Sequence, residues 1–200
     1  MKPIEEFLRA IDRGWKPAGA GRITLQVIGS TALMLRAGYE RGTKDSDVLE
    51  TPDITPEIKK ALLDLAGKGS ALFRAHRMYV DVVFRALLFL PTRPLFHPVP
   101  ALDGLKNFRV EALDPVDVAV SKLARFSAND SYDIKAMADL GLIEHGRLLE
   151  RFRLAMDAFS TDARAEDIPK FVKNLHAVER DHLLAPESEI DLPDWMQDRQ

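Results

Sequence analysis

The chain has 200 residues, 46% hydrophobic and 30% charged, with no cysteine and a formal net charge of −3. This is enough for one domain, or one domain with a modest appendage, around an apolar core. It excludes a disulfide framework and a thiolate nucleophile or metal site, and the longest apolar run, ALLFLP at 86–91, is far too short to span a bilayer.

The charge is unevenly spread. Residues 1–100 carry 15 Lys+Arg against 11 Asp+Glu, and residues 101–200 carry 13 against 20. An acidic chain is a poor general nucleic-acid binder. Its basic first half can still hold a phosphate-bearing ligand locally, or the asymmetry can be chance variation of the surface. The start, MKPIEEFLRAIDRG, has no continuous apolar stretch of the kind a signal peptide needs. With the lack of cysteine, this suits a reducing, cytoplasmic setting.

In chain order, residues 3–13 read as a helix with Ile4, Phe7, Leu8 and Ile11 on one face. RITLQVIG at 22–29 is β-branched and alternating, hence a strand, and TALMLRAG at 31–38 a helix ending near Gly38. DSDVLE at 45–50 is a second strand. A helix follows from about Thr55, with Thr55 as N-cap, Pro56 in the first helical position and Gly67 near its end. MYVDVVFRALLFL at 78–90 begins as a strand, TRPLFHPVPALDG is a proline-rich connection, and KNFRVEALD at 106–114 is another strand. Asp114-Pro115-Val116-Asp117 is a helix-start signature. Helices are expected near 115–126, 130–140, 144–159 and 166–183, and then an acidic, proline-containing tail, loose or draped, over 186–200. The fold class is therefore α/β (α+β). An α/β core over 1–113 is followed by a helical region over 114–185.

Within the second strand, Asp45 and Asp47 share a face, about 7 Å apart, while Ser46 and Val48 point the other way. Two carboxylates so placed repel each other. Without an arginine fork beside them, they suit a hard divalent cation. Asp81 is a third acid inside an apolar strand, where an unpaired carboxylate is costly. If that strand lies beside 45–50, Asp81 completes a three-carboxylate cluster of the kind that holds metal around a transferring phosphoryl group. Upstream, Gly29-Ser30 joins a strand to a helix. This sets backbone N–H groups and a hydroxyl at a helix N-terminus, a phosphate-type site, with glycine permitting close approach. Each element alone has a plain reading as a surface pair, a strand-edge acid or an ordinary turn. Their order is what is specific.

Gly29-Ser30, Asp45-Ser46-Asp47 and Asp81 resemble the signature of the DNA polymerase β-like nucleotidyltransferase superfamily. IGSTALMLRAGYERGTKDSDV is similar to the opening motif of the abortive-infection AbiEii-type nucleotidyltransferases and their small relatives, with Ala32, Arg41 and Thr43 at the flanking positions. LDPVDVAVSKLARFSANDSYDI resembles that family's second half, and the likeness covers roughly residues 22–140. The resemblance implies a nucleotidyltransferase-like mixed sheet with flanking helices and a C-terminal helical bundle. It also implies Mg²⁺, two ions, and a nucleoside triphosphate as substrate. Gly29 and Ser30, with Arg41 and Thr43, would contact the nucleotide. Asp45, Asp47 and Asp81 would hold metal, with Asp81 alternatively the base toward an acceptor hydroxyl, and Lys122 would neutralise triphosphate charge or assist the leaving pyrophosphate. Asp130 and Asp133 match a further acidic motif. Acceptors in such families include a tRNA 3′ end, a protein side chain or a small molecule, and some members are toxins with a separately encoded antitoxin partner. Two positions depart from the family pattern: Ser46 where an apolar residue is usual, and Ser30 in place of a second glycine.

From its own residues, the second half reads more plainly. Lys122 and Arg125 form a small basic patch on a solvated helix face, Asn129 and Asp130 cap the next helix, and Asp133 is surface. His76 and His97 show no zinc-ligand spacing. The readings that remain open are an Mg²⁺-dependent nucleotidyltransferase, a non-catalytic nucleotide- and metal-binding module, and a structural α/β domain.

Overall fold

A computed structural model describes residues 2–17, 21–39 and 44–192. The fold is a mixed α/β structure, and its residues fall into two compact units. One comprises 1–87 and 95–114, the other 88–94 and 115–200.

The first unit begins with α1 (Pro3–Gly14), whose Ile4, Phe7, Leu8 and Ile11 are all essentially inaccessible, as their spacing requires. Then follow β1 (Ile23–Val27), α2 (Gly29–Ala37), β2 (Asp45–Leu49), α3 (Pro56–Ala66), α4 (Ala71–His76), β3 (Tyr79–Val83), β4 (Phe96–Pro98) and β5 (Phe108–Leu113). The strands form one sheet in the order β3-β2-β1-β5-β4. β2 and β3 are parallel, as are β1 and β5, while β1 with β2 and β4 with β5 are antiparallel.

Register divides the sheet by face. Leu25, Val27, Val48, Val80, Val82, Val110 and Ala112 are buried on one side. By alternation the other carries Gln26, Asp45, Asp47, Tyr79, Asp81 and Glu111. α2 lies against β2 and β5, and α3 against β3.

Two elements escape the sequence reading. α4 is six residues long and is capped by Ser70, whose side chain accepts the Phe73 N–H. β4 is a three-residue strand inside the proline-rich connection, held by antiparallel pairing of Phe96 with Leu113. Thr55 caps α3 as its sequence predicts, accepting the Ile58 N–H at 3.3 Å.

The second unit contains α5 (Pro115–Leu123), α6 (Ala128–Asp139), α7 (His145–Phe159) and α8 (Ile168–Asp181). Segment 88–94 joins it through Phe89, whose ring meets Phe152, Phe159 and Phe171 at 4.8–5.5 Å between centroids. Asp117 is fully buried and receives a two-pronged bond from Arg151, 2.7 Å on each arm. Residues 183–192 form neither helix nor strand. They are fastened by Ser188 N–H to Glu179 (3.0 Å) and Arg153 to the Glu189 carbonyl (3.1 Å). No helix among the described residues is long and apolar enough to cross a membrane.

Candidate active site

Parallel pairing of β2 and β3 sets Asp47 directly opposite Asp81 and Asp45 opposite Tyr79. The three aspartates therefore stand on one face of two adjacent strands. Asp45 and Asp81 are exposed and Asp47 is half-buried, while Ser46 and Val48 are buried on the opposite face. The Asp81 carboxylate accepts the N–H of its own neighbour, Val82, at 2.8 Å.

The β1–α2 turn is bolted to this strand pair. Ile28 N–H donates to the Asp47 carbonyl at 2.9 Å, and the Thr31 hydroxyl to the Asp45 carbonyl at 3.0 Å. Gly29 has φ +63°, in the left-handed region, and a Cβ added there would lie 3.5 Å from Asp47 Oδ2. The glycine thus meets both a conformational and a close-approach requirement. No side chain caps α2, and its first turn holds no acid of its own, so the carboxylate set against its Gly29 is that of Asp47, from the neighbouring strand.

Tyr79 shares the aspartates' face. Burial, and then the charges of Asp45, Asp81 and Asp47, raise its phenol above the ordinary value. From the sequence, Tyr79 has no role beyond membership of the apolar strand around Asp81. The i, i+2 spacing of Tyr79 and Asp81 is the signal that could have found it.

Among the described residues, no group of three His, Cys, Asp or Glu side chains converges closely enough, as placed, to hold a metal ion. The donor set nonetheless suits Mg²⁺ in kind and position. It consists of hard carboxylate oxygens, two of the three carboxylates being on register partners, with no cation paired to Asp81 among the described residues and the α2 N-terminus close to Asp47. Arg41 and Thr43, expected to contact nucleotide, lie outside the described residues.

Lys122 belongs to the second unit, and it does not lie on a solvated face. It is 8% exposed, with its ammonium 3.1 Å from Asp130 and 2.8 Å from Asp133, which are 1% and 0% exposed. A carboxylate pair that deep needs a cation partner, which corrects the surface reading of Asp133. The N-cap of α6 is Ser127 rather than Asn129. Asp130 completes a capping box with Ser127 and takes two 2.8 Å bonds from Arg125. Burial works to raise the Asp130 carboxyl, but the bonds from Arg125 and Ser127 and the charge of Lys122 outweigh it, so it lies well below its ordinary value. Ser46, which stands where the family pattern has an apolar residue, lies on the face opposite the aspartates. It is 1% exposed, and its hydroxyl has no partner among the described residues.

A strand–Gly-Ser–helix turn beside an acidic strand pair, within a mixed sheet followed by helices, is the architecture of a nucleotidyltransferase-like protein. The chain belongs to the family described as "Nucleotidyltransferase of unknown function (DUF6036)", which matches residues 16–181. No curated protein and no solved structure matches it. The chain is thus a nucleotidyltransferase, for which a nucleoside triphosphate is the implied substrate.

Proposed function

We propose that the chain transfers a nucleoside monophosphate from a nucleoside triphosphate to an acceptor hydroxyl in a Mg²⁺-dependent reaction. The observation that carries this is the in-register pairing of Asp47 with Asp81, with Asp45 on the same face and Gly29 packed against Asp47. The acceptor oxygen forms a bond to the α-phosphorus, and the bond from that phosphorus to the β-bridging oxygen breaks, releasing pyrophosphate. The acceptor proton passes to the Asp81 carboxylate and then to solvent. Asp45, Asp47 and Asp81 would hold Mg²⁺, which when bound supplies charge neutralisation for the phosphates and leaving group. Gly29 and Ser30 orient the phosphates through the α2 N-terminus, with Arg41 and Thr43 assisting.

Lys122 has a place in the proposal, as charge compensation for the triphosphate, that stands on motif likeness alone. Inside its own unit its partners are Asp130 and Asp133. The closer AbiEii-type kinship and a toxin role with an antitoxin partner rest on the same likeness, and a cytoplasmic setting rests on the lack of cysteine.

The test is calorimetric titration of ATP, GTP, CTP and UTP, with and without Mg²⁺, on the native chain and on the Asp45→Asn/Asp47→Asn variant. Binding should require Mg²⁺ and vanish in the variant. If no nucleotide binds under either condition, the proposal fails. If one binds and is never consumed with any acceptor, the site is a binding module.

A further inference from the structure

Helix α6 carries apolar residues on two sides. Its inner side buries Ile134 and Met137, together with Asp130 and Asp133, whose carboxylates meet Lys122. Its outer side carries Tyr132, Ala136 and Leu140, the last of which is its C-cap. Tyr132 is 63% and Leu140 56% exposed, and Ala136 is half-buried. A single exposed apolar residue needs no account, but a contiguous row of them marks a contact surface.

The row has a defined geometry. At 3.6 residues per turn, residues four apart form a ridge that drifts by about 40° per step, so Tyr132, Ala136 and Leu140 lie within about 80° of one another. Lys135 and Asp139 are also four apart. They form an ion pair at 2.6 Å, with both side chains more than half exposed. Around the helix axis, Lys135 lies about 60° and Asp139 about 20° to one side of Tyr132, while Ala136 and Leu140 lie to the other side. The exposed face is therefore two lines side by side. One is apolar, and the other is a cation followed by an anion.

A face of this kind complements a second copy of itself. A two-fold axis that brings two α6 helices together antiparallel sets each line against its own counterpart. Apolar residues then meet apolar residues, and Lys135 meets the partner's Asp139. A parallel pair would set the apolar line against the charged one. With Lys135 opposite the partner's Asp139, the 1.5 Å rise puts the partner's Leu140 midway between Tyr132 and Ala136, about 3 Å along the axis from each. One register thus satisfies both lines, and the small Ala136 near its centre lets the helices approach closely.

We infer that the outer face of α6 is the contact surface of a homodimer. Two copies pack antiparallel through Tyr132, Ala136 and Leu140 and exchange Lys135–Asp139 ion pairs. This goes beyond the transfer reading and does not depend on it. Lys122, Asp130 and Asp133 stay on the opposite side of the helix. One helix from each copy falls short of the roughly 1,600 Å² of a standard interface, so the dimer is weak, with a micromolar dissociation constant.

The experiment is sedimentation equilibrium of the full chain, from low micromolar to millimolar concentration, on the native chain and on Lys135→Asp, Asp139→Lys and Leu140→Glu. The native chain should pass from monomer to dimer. Each of the two charge variants sets like charges together twice across the axis and should weaken association about tenfold. An equimolar mixture of Lys135→Asp and Asp139→Lys brings opposite charges back to both contacts, and it should associate as the native chain does. Leu140→Glu should remain monomeric. Thermal unfolding by circular dichroism separates loss of association from loss of fold, because these exposed substitutions should leave the monomer folded.

The inference is overturned if the native chain is monomeric at millimolar concentration, which would leave the row to a different partner. It is also overturned if the chain dimerises but all three variants associate as it does, since the contact would then lie elsewhere. A mixture of the two charge variants that associates no better than either one alone would refute the antiparallel register.

Discussion

Replacing Asp81 by asparagine should stabilise the metal-free chain and remove the protection that Mg²⁺ gives. Asp81 and Asp47 are register partners on adjacent strands, about 4.8 Å apart at the backbone. Two like charges about 5 Å apart repel by about 1 kcal/mol when screening is close to that of water, which suits an exposed Asp81 and a half-buried Asp47. Asparagine removes that repulsion and keeps an Oδ1 acceptor for the Val82 N–H, now bonded at 2.8 Å. In a chain of this size, 1 kcal/mol moves the melting temperature by about 2–4 °C. Mg²⁺ at ten times its Kd would stabilise the native chain by about 1.4 kcal/mol. Thermal unfolding followed by circular dichroism, in EDTA and in MgCl₂, should therefore show a reversal: the variant melts higher without metal and the native chain higher with it. A variant that melts below the native chain in EDTA, or that gains as much from Mg²⁺, would refute the assignment of Asp81 to a metal-holding cluster.

Ser46→Ala should stabilise the chain by about 1 kcal/mol, since it removes a buried hydroxyl that has no partner among the described residues. Urea unfolding measures this, and Mg²⁺–ATP affinity should stay unchanged. Asp130→Asn breaks a buried ion pair and should cost roughly 3 kcal/mol at pH 7. The Asp130 carboxyl is held below its ordinary value in the folded chain. Its stabilisation is therefore complete above the unfolded carboxylate range, near pH 4, and is lost as pH falls toward the folded value. The gap between native chain and variant should narrow from pH 7 to pH 3, and equal stabilities at pH 7 would contradict the role given to Asp130.

The elements with strong periodic or capping signals are legible in the amino-acid sequence alone. α1 follows from Ile4, Phe7, Leu8 and Ile11, and α3 from Thr55-Pro56. The elements that escape it are the short ones. α4 has too few residues for a periodic face, and β4 is a strand only because β5 pairs with it. Lys122 is misread for a related reason. Its helix carries apolar residues on nearly every side, so nothing local distinguishes a solvated lysine from one that neutralises two buried carboxylates. That requires α6 to bring Asp130 and Asp133 against it.

What the sequence determined by itself is chemistry and order: a glycine-serine turn, then two aspartates two residues apart, then a lone aspartate in an apolar strand. Alternation along a strand is a local property, so the shared face of Asp45 and Asp47 needed no tertiary information. The position of Asp81 did. A one-residue slip between β2 and β3 would turn Asp81 to the face of Ser46 and Val48. Burial of Val80 and Val82 beside Val48 opposes that slip, because it would carry those side chains to the polar face. Register, sheet order and the closeness of Gly29 to Asp47 come from packing among segments distant in sequence, and they bring the glycine turn and the three aspartates to one end of the sheet.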